Sequence, residues 1–426
     1  MNRFSRHRQA AAVCTITLVA AAIGFGGCAS GGGPQGGPPH KGGPPPGAPA
    51  AHHDTRSDSR VIAVHMASNQ PSQVIPVIRR ETRDVLRLSF DVAGDRREFY
   101  SAHFHPATRD WELSTGIEDG ILPPPDDITE YEASTDLDFP YVQYTYEFPN
   151  PRVDFYRSGN FVLQVLDDRG GIVLEKPFYV SDEMVDIDID AKSTSLITDR
   201  PDELIPEARI RVPTDPWFSP ADCSVRFFKN GWTDEYFHVD ISRPDGDDHV
   251  YEAPSVFRLT IPVYSADLAG NSGIRRRDAI TIPETVSLLP DDMRFWGDDY
   301  RFASPLPRRA TPHDAFTRYV MADFAVQNGP RNDPPYLVGT FSDWEPYPEN
   351  RLTWNDETRA YEIHVPLREE QFFYTYVWTD PNTVRPQSKF EGPGEVVFTG
   401  VVYANDRRYP TERILAVKSQ TLPDQN

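Results

Sequence analysis

Cysteine is scarce in this chain of 426 residues, with only Cys14, Cys28 and Cys223 present. Cys14 and Cys28 belong to an apolar N-terminal run, so Cys223 stands alone in the remainder, and no internal disulfide can form there. Stability must come from packing, and Cys223, between Asp222 and Ser224, reads as a structural thiol. Positive charge is also short: 43 Lys and Arg face 64 Asp and Glu, a formal net charge of −21. That imbalance suits neither nucleic acid nor an anionic membrane surface, and no nucleic-acid partner is expected. Long amphipathic helical stretches are missing, and the 41 prolines would interrupt them. No Gly-x-Ser-x-Gly elbow, His-Glu-x-x-His pair or phosphate-cradling glycine loop occurs. The chain therefore reads as a non-enzyme, with no catalytic, cofactor-binding or metal residues and no cofactor. Carboxylates abound, but a glycosidase pair requires two that meet in space, and abundance does not supply that.

The N terminus is more informative. Arg3, Arg6 and Arg8 precede the apolar run Ala10 to Phe25, then Gly26, Gly27 and Cys28. This resembles a bacterial lipoprotein signal over residues 1–27, with Cys28 as the lipidated first residue of the mature chain. Phe25 stands where leucine is usual. Ala29 and Ser30 follow, so the aspartate associated with inner-membrane retention is missing, and a lipid anchor on the periplasmic side of the outer membrane is expected. Residues 28–59, rich in Gly, Pro, Ala and Ser, read as a disordered tether spanning about 30 Å on average. His40, His52 and His53 lie in it without carboxylates or cysteines at ligand spacing, and read as solvated linker residues.

Beyond residue 60 the hydrophobic period is two. Leu86, Leu88, Phe90 and Val92 alternate with Arg87, Ser89 and Asp91, and Val142, Tyr144, Tyr146 and Phe148 alternate with Gln143, Thr145 and Glu147. The pattern recurs at Phe257 to Val263, Tyr361 to Val365 and Tyr374 to Trp378. Half-buried strands follow from this alternation, and an all-β class of tandem Ig-like or early-set β-sandwiches from strands punctuated by Gly, Pro, Asn and Asp. Three sandwiches are expected, at 60–181, 182–283 and 313–410, with a Pro-rich connection at 284–312 and a tail at 411–426. Asp186, Asp188 and Asp190 share one strand face, read as solvated because no calcium-loop geometry accompanies them.

The first segment carries an ordered series: His103 and His105 on a strand, the turn Arg109, Asp110, Trp111, then Gly120, Ile128, Tyr131, Ser134, Tyr144, Pro149 and Asn150. Ser158, Gly159, Asn160, Phe161, Leu163 and Val165 follow, and later Asn230, Gly231, Trp232, Phe257 and Arg258. The series is similar to the type IX secretion system plug protein family. Ser255 and Val256 depart from the asparagine and glutamate common before the Phe-Arg pair, and the loop Pro124 to Asp127 is idiosyncratic. The same residues have structural readings: Gly159 and Asn160 suit left-handed turns, Trp111 and Trp232 suit core anchoring, and the two histidines, with no third ligand, suit packing.

Residues 336–344, Tyr-Leu-Val-Gly-Thr-Phe-Ser-Asp-Trp, followed by Tyr361, Glu362 and Phe373 to Val377, resemble the early-set sandwich of glycogen-binding modules. There an exposed tryptophan and a later lysine hold sugar. Trp344 is the corresponding glycan contact in that alternative, an envelope glycan-binding lipoprotein, while Thr375 replaces the lysine and favours a turn-anchoring Trp344. The plug resemblance implies a non-enzymatic component that closes the periplasmic opening of the giant outer-membrane β-barrel translocon, its partner, when no substrate is passing.

Overall fold

The computed structural model describes residues 55–70, 73–114, 122–135, 139–193, 204–212, 215, 217–257, 264–268, 275–276, 285–287, 291–292, 317–327, 333–378, 396–406, 408 and 411–422. Their regular elements are strands and one-turn 3-10 helices, arranged as β-sandwiches.

In the first sandwich, one sheet orders Thr55–Arg56, Ile172–Ser181, Gly159–Asp167, Tyr100–Ala107 and Asp126–Ile128, and Val77–Arg79 lies parallel to Ile172–Ser181. The facing sheet orders Val61–Ser68, Leu86–Ala93, Tyr141–Phe148 and Glu130–Ala133. Register sets Leu88 opposite Tyr146 and Phe90 opposite Tyr144, so the alternating apolar residues of both strands point into one core. Phe90 and Tyr144 stack at 5.1 Å between centroids, and Tyr100 of the other sheet meets Tyr144 edge-on at 4.9 Å. Each such fully buried aromatic or aliphatic side chain contributes about 1.5–3 kcal/mol. The tether expected through residue 59 ends earlier than that, since Thr55 already pairs with Glu175.

The second sandwich is discontinuous in sequence. Its outer sheet orders Asp186–Ser193, Leu204–Arg211, Asp248–Glu252 and Arg243–Asp245. The inner sheet orders Trp232–Val239, Cys223–Lys229, Val396–Ala404 and Arg413–Leu422. Residues 411–422 are thus a strand rather than the expected tail, and 396–404 belong here rather than to the third sandwich. The reason is two-sided burial. Val225, Phe227, Phe398 and Val402 face the outer sheet, while Phe228, Val397, Val401 and Tyr403 face the first sandwich. All nine residues of Val396–Ala404 are buried, and a strand buried on both faces is an apolar run without alternation. On the outer sheet, Asp186 and Asp188 stand opposite Arg211 and Arg209, while Asp190 stands opposite Glu207, so the acidic face is only partly matched across the strands.

The third sandwich is inserted into the second, between Phe257 and Val396. One sheet orders Tyr264–Asp267, Gln371–Val377 and Tyr336–Gly339, and the other orders Arg275–Arg276, Thr285–Ser287, Tyr319–Gln327, Ala360–Arg368 and Thr353–Asn355, with Asp291–Asp292 parallel to Tyr319–Gln327. Phe324, Tyr361, Phe372, Tyr374 and Tyr376 fill its core. Tyr264–Asp267 and Arg275–Arg276, expected in the second sandwich, pair in the third. The alternation at 258–263 lies outside the described residues.

Candidate functional site at the sandwich junctions

The sequence motifs converge where the first sandwich meets the other two. Val74, Ile75, Val77 and Tyr179 pack on Phe228, Val397, Val401, Tyr403, Ile414 and Val417, with Trp111 partly buried beside them and 5.2 Å from Tyr179 between ring centroids. The Asn230-Gly231 turn holds φ of 55° and 74°, the left-handed pair that a two-residue hairpin requires. It also docks: Val397 N donates to Asn230 Oδ1 at 2.9 Å, and a Cβ on Gly231 would sit 2.9 Å from the Val74 carbonyl oxygen.

Polar groups ring this apolar seam. Asp182, just after the strand Ile172–Ser181, accepts from Arg413 Nε at 2.9 Å, from Ser158 Oγ at 2.6 Å and from Arg80. Asn160 Nδ2 donates to the Thr108 carbonyl at 3.1 Å while its Oδ1 accepts from the buried Tyr403 hydroxyl at 3.1 Å. Arg226 donates to the Arg109 carbonyl at 2.6 Å and to Asp110 Oδ1 at 2.7 Å, and its guanidinium lies 4.1 Å from the Tyr236 ring centroid. The Ser-Gly-Asn strand start and the Asp-Trp turn are therefore docking elements. Burial, and then the neighbouring Arg109, push the His238 imidazole down to about 4. Burial by itself would raise the Asp406 carboxyl, but Arg408 and Arg413 outweigh it and hold that group below its ordinary value.

A second junction joins the first and third sandwiches. Lys176 Nζ lies 2.9 Å from Asp343 Oδ2, and His65 Nδ1 lies 3.5 Å from Asp343 Oδ1. Arg368 donates to Asp91 from Nε at 2.9 Å, and the Tyr319 hydroxyl donates to the same oxygen at 2.6 Å. Burial, then the Asp91 charge, push the Tyr319 phenol well above its usual range. Tyr141 reaches across to the Thr317 carbonyl at 2.7 Å.

Trp344 belongs to this second junction. It is only 8% exposed and packs with Val338, Tyr336, Phe373 and Val377. The ring proposed for sugar stacking is covered by side chains of its own sandwich, while the neighbouring Asp343 reaches Lys176. Thr375 is fully buried. Cys223 is buried, its Sγ 3.4 Å from the Ser219 carbonyl, and burial pushes the thiol up to about 12, which leaves little nucleophilic thiolate. His103 contacts Ser101 at 3.0 Å. Among the described residues no group of three or more His, Cys, Asp and Glu could hold a metal ion. Asp126, in the loop read as idiosyncratic, accepts from Tyr146 and Asn150 and pairs with Arg152 at 2.8 Å. Cys28 and the tether through residue 54 lie outside the described residues, as does Arg258, and so do the side chain of Trp232 and Gly120.

Sequence reasoning missed Lys176, Asp182, Arg226 and Arg368, and it placed Asp343 only within the glycogen-module-like turn. One signal was available for Lys176: with Glu175 it interrupts a strand whose other residues are apolar up to Ser181.

The segment that presents Asp110, Asn160 and Asp182 to this seam coincides with a known family. Residues 61–182 match the Type 9 secretion system plug protein 1st domain. The strand start Ser158 to Asn160 and the Asp110-Trp111 turn both fall inside the matched segment. No curated protein matches the chain. A crystal structure of a hypothetical protein from Parabacteroides merdae ATCC 43184 superposes with a TM-score of 0.73 at 17% identity, covering 86% of this chain and 98% of its own. At that identity the likeness is one of fold, and it extends well beyond the plug first domain. A marsupial T cell receptor aligns over 84% of this chain and 99% of its own at 10% identity, with a TM-score of 0.14 that carries no argument.

Proposed function

We propose that the protein is a non-enzymatic component of the type IX protein secretion system, and that it closes the periplasmic opening of the outer-membrane translocon when no substrate is passing. The plug first domain at residues 61–182 carries this reading. The mechanism is steric. Two buried junctions lock the sandwiches against one another, and a stiff body can cover a pore mouth where a string of loosely joined modules would not. Release requires a ligand or cargo with a higher affinity for the undocked state. Cys28 supplies a lipid anchor in the outer membrane facing the periplasm, and the tether keeps the body near its partner.

Affinity capture of tagged protein from gently solubilised envelopes tests the reading. Recovery of the giant translocon barrel is expected, and its consistent absence overturns the proposal. Radiolabelled lipid should incorporate into the wild-type chain and not into Cys28→Ala; incorporation that persists in the variant removes Cys28 as the anchor.

A further inference from the structure

The outer face of the sheet formed by Val61–Ser68, Leu86–Ala93, Tyr141–Phe148 and Glu130–Ala133 is used at one end and open at the other. At the used end Arg368 and Tyr319 of the third sandwich close on Asp91. At the open end lies a cleft of about 690 Å³. Register builds its floor, since His65, Ser89, Thr145 and Glu130 stand side by side across the four strands. Small hydroxyl-bearing side chains occupy the middle of that row and leave the depression. In the next row Arg87 is taken by Glu147 at 3.3 Å. Glu130 and Glu132, by contrast, have no hydrogen-bond or ion-pair partner among the described residues. They line the cleft as an uncompensated acidic wall.

That wall is also a strand edge. Glu130–Ala133 is the last strand of its sheet, and all four residues are exposed. On the outermost strand of the second sandwich Asp186, Asp188 and Asp190 alternate with Ile187 and Ile189, which are buried. In Glu130–Ala133, Tyr131, 44% exposed, alternates to the opposite face from Glu130 and Glu132. The Arg97 guanidinium lies 4.2 Å from its ring centroid and 4.7 Å from that of Phe99, itself 65% exposed. The edge thus offers carboxylates on one face and aromatic surface on the other.

We propose that Glu130–Ala133 accepts an extended basic peptide as an added strand. Its lysine or arginine side chains lie over Glu130 and Glu132 in the cleft, and its alternate apolar side chains lie against Tyr131 and Phe99. Strand addition supplies main-chain hydrogen bonds, and the period of two delivers every second side chain to the acidic wall. Opposite charges directly across a strand pair attract, whereas an acidic segment would face like charges there. The partner chemistry is a segment alternating basic with β-branched or aromatic residues. This inference stands apart from the translocon reading and holds or fails independently of it.

Fluorescence anisotropy with a labelled Lys-Val-Lys-Val-Lys peptide and the full chain tests it. Saturable binding is expected, several-fold weaker when salt rises from about 50 to about 300 mM. The double variant Glu130→Gln/Glu132→Gln, at two exposed positions, should retain its melting temperature and bind roughly tenfold more weakly. N-methylation of one alternate set of peptide amides should abolish binding, and of the other set should spare it. The proposal is overturned by no binding to the wild type, equal binding by Glu-Val-Glu-Val-Glu, equal binding by both N-methylated peptides, or equal binding to the double variant. Sedimentation showing dimers that the double variant loses, without peptide binding, would assign the edge to a second copy of the chain and likewise overturn it.

Discussion

Lys176 of the first sandwich places its ammonium 2.9 Å from the Asp343 carboxylate of the third, with side chains only 1% and 5% exposed. Two charges taken out of water hold together only while both are present. Removing one partner of a buried pair leaves the other uncompensated and costs about 3–5 kcal/mol. Asp343→Asn isolates this effect, because Asp343 has φ 51°, a left-handed conformation that asparagine also adopts. The variant should lose stability of that order in urea titration. Lys176→Met/Asp343→Asn should lose less than the sum of the two single changes. Strict additivity would mean that the pair does not couple the sandwiches.

The approach of the Asn230-Gly231 turn to the first sandwich leads to a backbone prediction. Gly231→Ala puts a Cβ 2.9 Å from the Val74 carbonyl at φ 74°, so it should destabilise by about 1–2 kcal/mol or more. Gly246 has φ 65°, close to that of Gly231, but nothing within 4 Å of an added Cβ. Gly246→Ala should therefore carry the backbone strain without the clash, and a smaller loss in thermal denaturation than Gly231→Ala would separate the two terms.

His238 sets a pH dependence. Its value falls from about 6.5 in the unfolded chain to about 4 in the folded one, so the unfolded state binds more protons between those limits. Stability from this group is fully present above pH 6.5 and is lost as pH falls toward 4, in total on the order of 3 kcal/mol. Below that, the Asp406 carboxyl, held under its ordinary value, gives up its own contribution as it protonates. Chemical denaturation at a series of pH values should show the slope, and the His238 ring signals in NMR should stay neutral down to about pH 5. A midpoint near 6.5 would refute the burial argument.

Trp344 distinguishes a core residue from a sugar platform. Trp344→Ala should cost about 3–5 kcal/mol of stability. An unchanged unfolding midpoint, accompanied by loss of glucan binding, would restore the glycan reading.

Much of the architecture was legible because it is local. Alternation in Leu86 to Val92 and Val142 to Phe148 set those strands and the side each presents, since a strand has a period of two whatever its partner. Asn230-Gly231 stood out only through the family resemblance, although its hairpin rests on backbone conformations that this pair tolerates. The candidate site was half legible: Asp110-Trp111 and Ser158 to Asn160 stood out as motifs, but the groups they bind did not. Arg226, Tyr403 and Arg413 are ordinary residues in ordinary strands, and they become docking partners only because sheets from distant segments meet. The unbroken apolar run Val396 to Ala404, with only Thr399 and Gly400 inside it, was the available sign of a strand covered on both faces.

The chain's residues determine by themselves an all-β body without disulfides, acidic in balance, and the places of most of its strands, for these follow from composition and from side-chain period. Tertiary pairing decided the nesting. Arg226 lies opposite Val401, 175 positions further along the sequence, and no local preference encodes that separation. It also decided what the motifs do. Asp343 and Trp344 sit in a turn that could have faced solvent and sugar; Trp344 is instead covered by its own sandwich and Asp343 is buried against Lys176, because a buried ammonium requires a carboxylate within reach.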